Sequence, residues 1–154
     1  MIRPWAIIAC VSVSAHAQAA EPLPGPVPAE LVRVIDGDTI QVRALIWPGH
    51  TVETRVRVRG IDTPETRRPD CEAEREAGQA ATAFTEAWLT RDPAEAGLSL
   101  YEIDLGSFAG RVVAAIQRDG EDLAAALVSA GLAVRYGEEG PWCSSHEGAT
   151  EDAN

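Results

Sequence analysis

LVRVIDGDTIQVRAL, residues 31–45, places two short runs, Leu31 to Ile35 and Thr39 to Leu45, on either side of Asp36-Gly37-Asp38. A glycine between two aspartates is a tight-turn sequence, so the stretch predicts a β-hairpin. Working outward, Trp47-Pro48-Gly49-His50 is the next turn, and Thr51 to Arg59 then alternates. Val52, Thr54, Val56 and Val58 fall on one face, expected to be core, and Glu53, Arg55, Arg57 and Arg59 on the other, expected to be wet. Pro69-Asp70 opens a helix expected to run to about Thr90, with Asp70 as N-cap. Along it Ala73, Ala77, Ala80, Ala81, Phe84 and Trp88 recur at helical spacing. Leu98 to Asp104 and Arg111 to Gln117 read as strands, followed by an Arg118-Asp119-Gly120 turn. A short helix from about Asp122 to Ala130 ends at Gly131. The order is strands, a helix, strands and a helix, without internal repeats.

The chain of 154 residues has 45% hydrophobic residues and a net charge of -11, the profile of a single globular domain. All thirteen basic residues are arginine. An acidic balance of this size excludes a simple polycationic coat for nucleic acid, so any attraction to phosphate must be local. Residues 33 to 75 hold eight Arg against eight acids, whereas residues 76 to 154 hold four against fourteen. An anion-binding surface is therefore expected in the first of these segments.

The first residues have the pattern of an export signal: Arg3, an apolar stretch from Trp5 to Val13, and Ala15-His16-Ala17. The stretch is too short and too broken by serine to span a bilayer, which takes about 20 apolar residues. Cleavage is expected after Ala17 or Ala19, and Ile7-Ile8-Ala9-Cys10 leaves lipidation as a minor alternative. Loss of residues 1–17 removes one Arg and no acid, taking the net charge from -11 to -12. The expected organisation is a signal peptide over 1–19, a Pro-rich linker over 20–29, a folded domain over 30–136 and an acidic tail over 137–154 anchored at Cys143. Export, to periplasm or medium, leaves Cys71 and Cys143 in an oxidising compartment, where they are expected to pair; the alternative for each is a buried free thiol. There is no CxxC, and His16, His50 and His146 are scattered, which argues against a zinc site.

Chemistry concentrates in Ile35 to Thr39, in Arg57 to Glu65, and at Gly110-Arg111. Asp36, Asp38, Asp62 and Glu65 are hard oxygen donors that suit Ca²⁺ better than a transition metal. Arg57 and Asp62 are five apart, so strict pleating would put them on opposite faces; a bulge or bend near Gly60 is needed to join them.

Val34-Ile35-Asp36-Gly37-Asp38-Thr39, Arg57-Val58-Arg59-Gly60-Ile61-Asp62-Thr63-Pro64-Glu65, Gly110-Arg111 and Ala126 to Ala133 together resemble the staphylococcal nuclease (thermonuclease) family. The resemblance spans roughly Leu31 to Tyr136. It implies an α+β, mainly β fold: an OB-type five-stranded barrel with two packed helices. It implies a Ca²⁺-dependent phosphodiesterase, thermonuclease-like and endonucleolytic, acting on DNA and RNA. Carried over residue by residue, Asp38 and Asp62 look like carboxylate ligands of the metal, the Thr63 carbonyl like a further ligand, and Asp36 like a supporting acid behind them. Glu65 would activate or orient the attacking water, and Arg57 and Arg111 would stabilise charge at phosphorus. Arg55 and Arg59 are left as ordinary surface charges.

The chain departs from the family pattern at Ser107-Phe108-Ala109, where the family often has Asp-Lys-Tyr, so that clamp on the terminal phosphate and base is missing or rebuilt. Tyr136 remains as a stacking ring. No counterpart of the family's long C-terminal helix is expected after Tyr136, where the Trp142-Cys143 tail would stand in its place. The resulting expectation is a monomer acting on nucleic acid, favouring single strands, with no stable membrane association. The competing reading is a catalytically silent OB-type module that binds nucleic acid or protein.

Overall fold

In the computed structural model, residues 21–91, 97–108 and 110–143 are described; the expected export segment, Ala109 and the tail beyond Cys143 lie outside them. The hairpin predicted around Asp36-Gly37-Asp38 is present, with longer arms: β1 (Val27–Asp36) and β2 (Thr39–Trp47) pair antiparallel. β1 begins at Val27, ahead of the expected start near Ala29, and Leu23 already bridges to Ile103. β3 (His50–Val58) follows, then the two-residue β4 (Ile61–Asp62), the helix α1 (Glu72–Thr90), β5 (Leu98–Leu105) and β6 (Arg111–Arg118). The chain ends with β7 (Glu121–Asp122), α2 (Leu123–Ser129) and β8 (Val134–Arg135), the last paired with β4.

Strand order β3-β2-β1-β5-β6 closes through a parallel β3–β6 pairing, giving the five-stranded OB-type barrel, mainly β, with two helices packed on it. Closure removes the open edges that an isolated sheet would expose. Alternation along β2 and β3 sends Ile40, Val42, Val56 and Val58 inward to meet Leu100, Ala114, Ile116, Leu123 and Leu127. Val52, expected in the core, is exposed, because β3 extends past the barrel at its N-terminal end.

α1 differs from expectation at both its start and its buried face. Its N-cap is Cys71, not Asp70: the Cys71 sulfur accepts from the Glu74 N–H, and the Glu74 carboxylate reaches back to the Asp70 N–H at 2.6 Å. The buried stripe is Gly78, Ala81, Thr85, Trp88 and Leu89, while Ala73 and Ala80 face solvent. That rotation follows from a polar contact periodicity cannot register, the Thr85 hydroxyl donating to the buried Gly37 carbonyl at 2.7 Å. At the other end, Arg118, only 2% exposed, donates to the carbonyls of Trp88 and Leu89 and so satisfies the last turn of α1. α2 is capped by Asp122, whose carboxylate accepts from the Ala125 N–H at 2.9 Å.

Cys71 and Cys143 form the expected disulfide, tying the start of α1 to the tail. In the loop-entropy model, closing a 72-residue separation contributes roughly 4 kcal/mol. Thermal melts with and without reductant are expected to separate clearly; superimposable melts would show that the tail adds no stability. No helix among the described residues is long and apolar enough to cross a membrane.

Candidate active site

The β1–β2 turn, the β3–β4 turn and the loop leading into α1 meet at one end of the barrel. The antiparallel register pairs Thr39 with Arg57, which sets Asp38 beside the Arg57 guanidinium. Gly60, with φ +78°, turns the chain sharply after β3, so that Asp62 comes back to the same guanidinium despite its odd spacing from Arg57. Arg57 thus spans both acids: Nη1 donates to Asp38 Oδ1 at 2.8 Å and Nη2 to Asp62 Oδ1. The other oxygen of Asp38 accepts the Thr63 N–H at 3.1 Å, and the Thr39 hydroxyl donates to Oδ1. Gly37 lets this corner close, because a Cβ there would sit 2.8 Å from the Ala81 Cβ and 2.9 Å from the Thr63 Oγ1.

Asp38 is 2% exposed, and burial pushes its carboxyl up to about 6 even though Arg57 pulls it down; Asp36 adds to the rise. Burial works against the Arg57 charge too, but Asp38 and Asp62 outweigh it and hold the guanidinium above its ordinary range. Asp36 keeps one buried carboxylate oxygen, Oδ1, without a hydrogen-bond partner. Buried, crowded carboxylates and an orphaned carboxylate oxygen are the signature of a place that gains from added positive charge. The donors are all oxygen, so they fit a hard divalent cation. No trio of His, Cys, Asp or Glu side chains among the described residues is grouped closely enough to hold a metal ion by itself.

Asp36, Asp38, Arg57, Asp62 and Thr63 are therefore brought together; the contact Thr63 makes with Asp38 is through its N–H rather than its carbonyl. Among the described residues, Glu65 shares no hydrogen bond or ion pair with these side chains through its carboxylate. Its exposed carboxylate accepts from the N–H groups of Thr66 and Arg67 at 2.9 and 3.0 Å, and its own N–H donates to Glu74. Arg111 lies at the wall of a neighbouring cleft that also holds Asp36 and Thr39. Its Cζ stacks 4.7 Å from the centroid of the exposed Phe108 ring. Tyr136 is 74% exposed and is not among the side chains lining that cleft.

Of the two arginines expected to be ordinary surface charges, Arg55 is exposed and Arg59 is not free. Arg59 is half-buried in an ion pair with Asp104 at 2.6 Å and bonds the Glu102 carbonyl, fastening β3 to β5. Arg55 lines the Arg111 cleft together with Arg33 and Arg67. Arg33 had no motif to mark it; the only signal was the excess of arginine in this part of the chain.

A family model described as "Staphylococcal nuclease homologue" matches residues 55–153. The match begins inside β3, downstream of Asp36-Gly37-Asp38, and it is the β2–β3 register that joins the hairpin acids to the matched segment.

Proposed function

The chain belongs to the staphylococcal nuclease homologue family, and from that premise we propose that it is a Ca²⁺-dependent nuclease hydrolysing phosphodiester bonds in DNA or RNA, with single strands favoured. The observation that carries the reading is the buried Asp38 beside Asp62, both on one guanidinium, at a site whose charge is left incompletely balanced. A hard cation held by Asp38 and Asp62, with the Thr63 carbonyl as a further ligand, supplies polarisation of a phosphoryl oxygen. Asp36 supports those acids from behind. Arg57 and Arg111 bind the reacting phosphate: Arg111 presents a fork with no carboxylate on it, Arg57 offers the N–H groups that its bonds to Asp38 and Asp62 leave over, and both keep their charge while negative charge builds on the phosphoryl oxygens. Glu65 is held only by two amides of its own loop, so exchanging those bonds for a water molecule costs little. It takes the proton as the water oxygen bonds to phosphorus, and the departing oxygen is protonated from solvent.

Glu65→Gln removes the base and leaves the two carboxylate ligands, so turnover is expected to fall about a hundredfold or more. Ca²⁺ affinity, measured by calorimetry, should change little. Equal loss of both would reassign Glu65 as a ligand.

The disulfide and the export pattern of the first residues support a periplasmic or secreted protein, with 1–19 as signal peptide, a nuclease domain that runs to 136 and takes in Leu23 and Val27 to Ala29 of the expected linker, and 137–154 as acidic tail. The monomeric state belongs to the same reading, and Tyr136 offers an exposed ring for a base.

A further inference from the structure

Arg43, Arg57, Arg59, Arg75, Arg91 and Arg118 each lie within ion-pair distance of a carboxylate. Six others have no carboxylate within that distance among the described residues; Arg68 and Arg135 lie outside the cleft, whereas Arg33, Arg55, Arg67 and Arg111 all line a single one of about 280 Å³. They reach it from separate places: β1, β3, the loop after β4, and β6. The parallel register sets Arg55 directly opposite Arg111 on the neighbouring strand. Like charges so placed repel, and in a chain of net charge -11 carboxylates to quench them are plentiful. The one acid in the lining is Asp36, and the fixed contacts within the group are Arg33 Nε donating to Gln41 at 2.8 Å and Arg111 over Phe108. Arg111 Nε is buried without a hydrogen-bond partner. This is a surface built to receive an anion.

We propose that Arg33, Arg55 and Arg67 form a second phosphate subsite, which takes the phosphodiester next to the one being cut on the same strand. Arg111 is shared between the two phosphates, and the exposed face of Phe108 stacks the base between them. The inference rests on the nuclease reading and extends it. The cleft meets the reacting centre through Asp36 and Thr39, the latter hydrogen-bonded to Asp38. Stacking on Phe108 requires an unpaired base, so the occupant is a single strand. The subsite also supplies phosphate contacts where Ser107-Phe108 replaces the clamp expected of the family.

The test uses the full-length chain, its Arg33→Gln/Arg55→Gln variant, and Arg43→Gln as a control on an arginine outside the cleft. Hydrolysis of thymidine dinucleotide, with one diester, is compared with that of the tetranucleotide. The double variant is expected to raise KM for the tetranucleotide about tenfold or more, with the dinucleotide changed less than twofold. Separately, fluorescence anisotropy of labelled tetranucleotide in chelator reads binding without cleavage. There the dependence of log affinity on log salt should flatten by about 0.7 for each lost phosphate contact. Wild-type salt slope and affinity in the double variant, or an equal loss in Arg43→Gln, would overturn the subsite whatever the activity. If no oligonucleotide is cut but the slope still flattens in the double variant alone, the nuclease reading fails and the subsite stands.

Discussion

Arg57→Gln is expected to lower phosphodiester hydrolysis on the order of a thousandfold, because the proposed reaction relies on this guanidinium to hold the reacting phosphate. It also strips the shared partner from Asp38 and Asp62. Breaking a fully buried pair costs about 3–5 kcal/mol; with Asp62 partly exposed, about 2 kcal/mol is the expected loss of stability near pH 8. The loss should depend on pH in a definite direction. Arg57 holds the Asp38 carboxyl down against its burial, so without it that carboxyl rises above its present value of about 6. The deficit is therefore large above pH 7 and shrinks as the acid takes up its proton toward pH 4. Urea unfolding of both proteins at pH 5 and pH 8 measures it, and an equal deficit at both would show that the pair contributes no linkage.

Hydrolysis by the wild type is expected to fall about tenfold per pH unit below roughly pH 6 at limiting Ca²⁺, since proton and cation compete for Asp38. More Ca²⁺ should move that acid limb to lower pH. The same raised value has a consequence for the fold. For a carboxyl raised from 3.8 to about 6, the stabilising term is fully present below 3.8 and is lost as pH rises through about 6. The ionised acid is thus a cost to the fold near neutrality that a bound cation offsets, and Ca²⁺ should raise Tm more at pH 8 than at pH 5. Rate profiles at two Ca²⁺ concentrations decide the matter; a flat profile down to pH 5 would mean that Asp38 is not the group that must ionise.

What was legible in the sequence was what is local. The Asp36-Gly37-Asp38 hairpin, the alternation into Val56 and Val58, and α2 with its Asp122 cap all follow from spacing over a few residues. The need for a bend at Gly60 was also legible, since an odd separation between Arg57 and Asp62 admits no other solution on a strand. The roles of Arg55 and Arg59 were not. Both share the face of Arg57, and they are told apart only by distant partners: the bulged stretch of β5 near Asp104 captures Arg59, while the parallel pairing with β6 puts Arg55 beside Arg111. The cap of α1 lies one residue beyond the expected Asp70 because a sulfur and the returning Glu74 carboxylate do the capping. The β4–β8 pair has two residues on each side, too few for any periodicity to show.

The most direct measurement is hydrolysis of single-stranded DNA by the protein recovered from an oxidising compartment, with Ca²⁺, with Zn²⁺ and with excess chelator. Cleavage is expected with Ca²⁺, none with chelator or with Zn²⁺ alone, and full recovery when Ca²⁺ is returned. Undiminished cleavage in excess chelator, or no cleavage in Ca²⁺, would contradict a reaction built on Asp38 and Asp62.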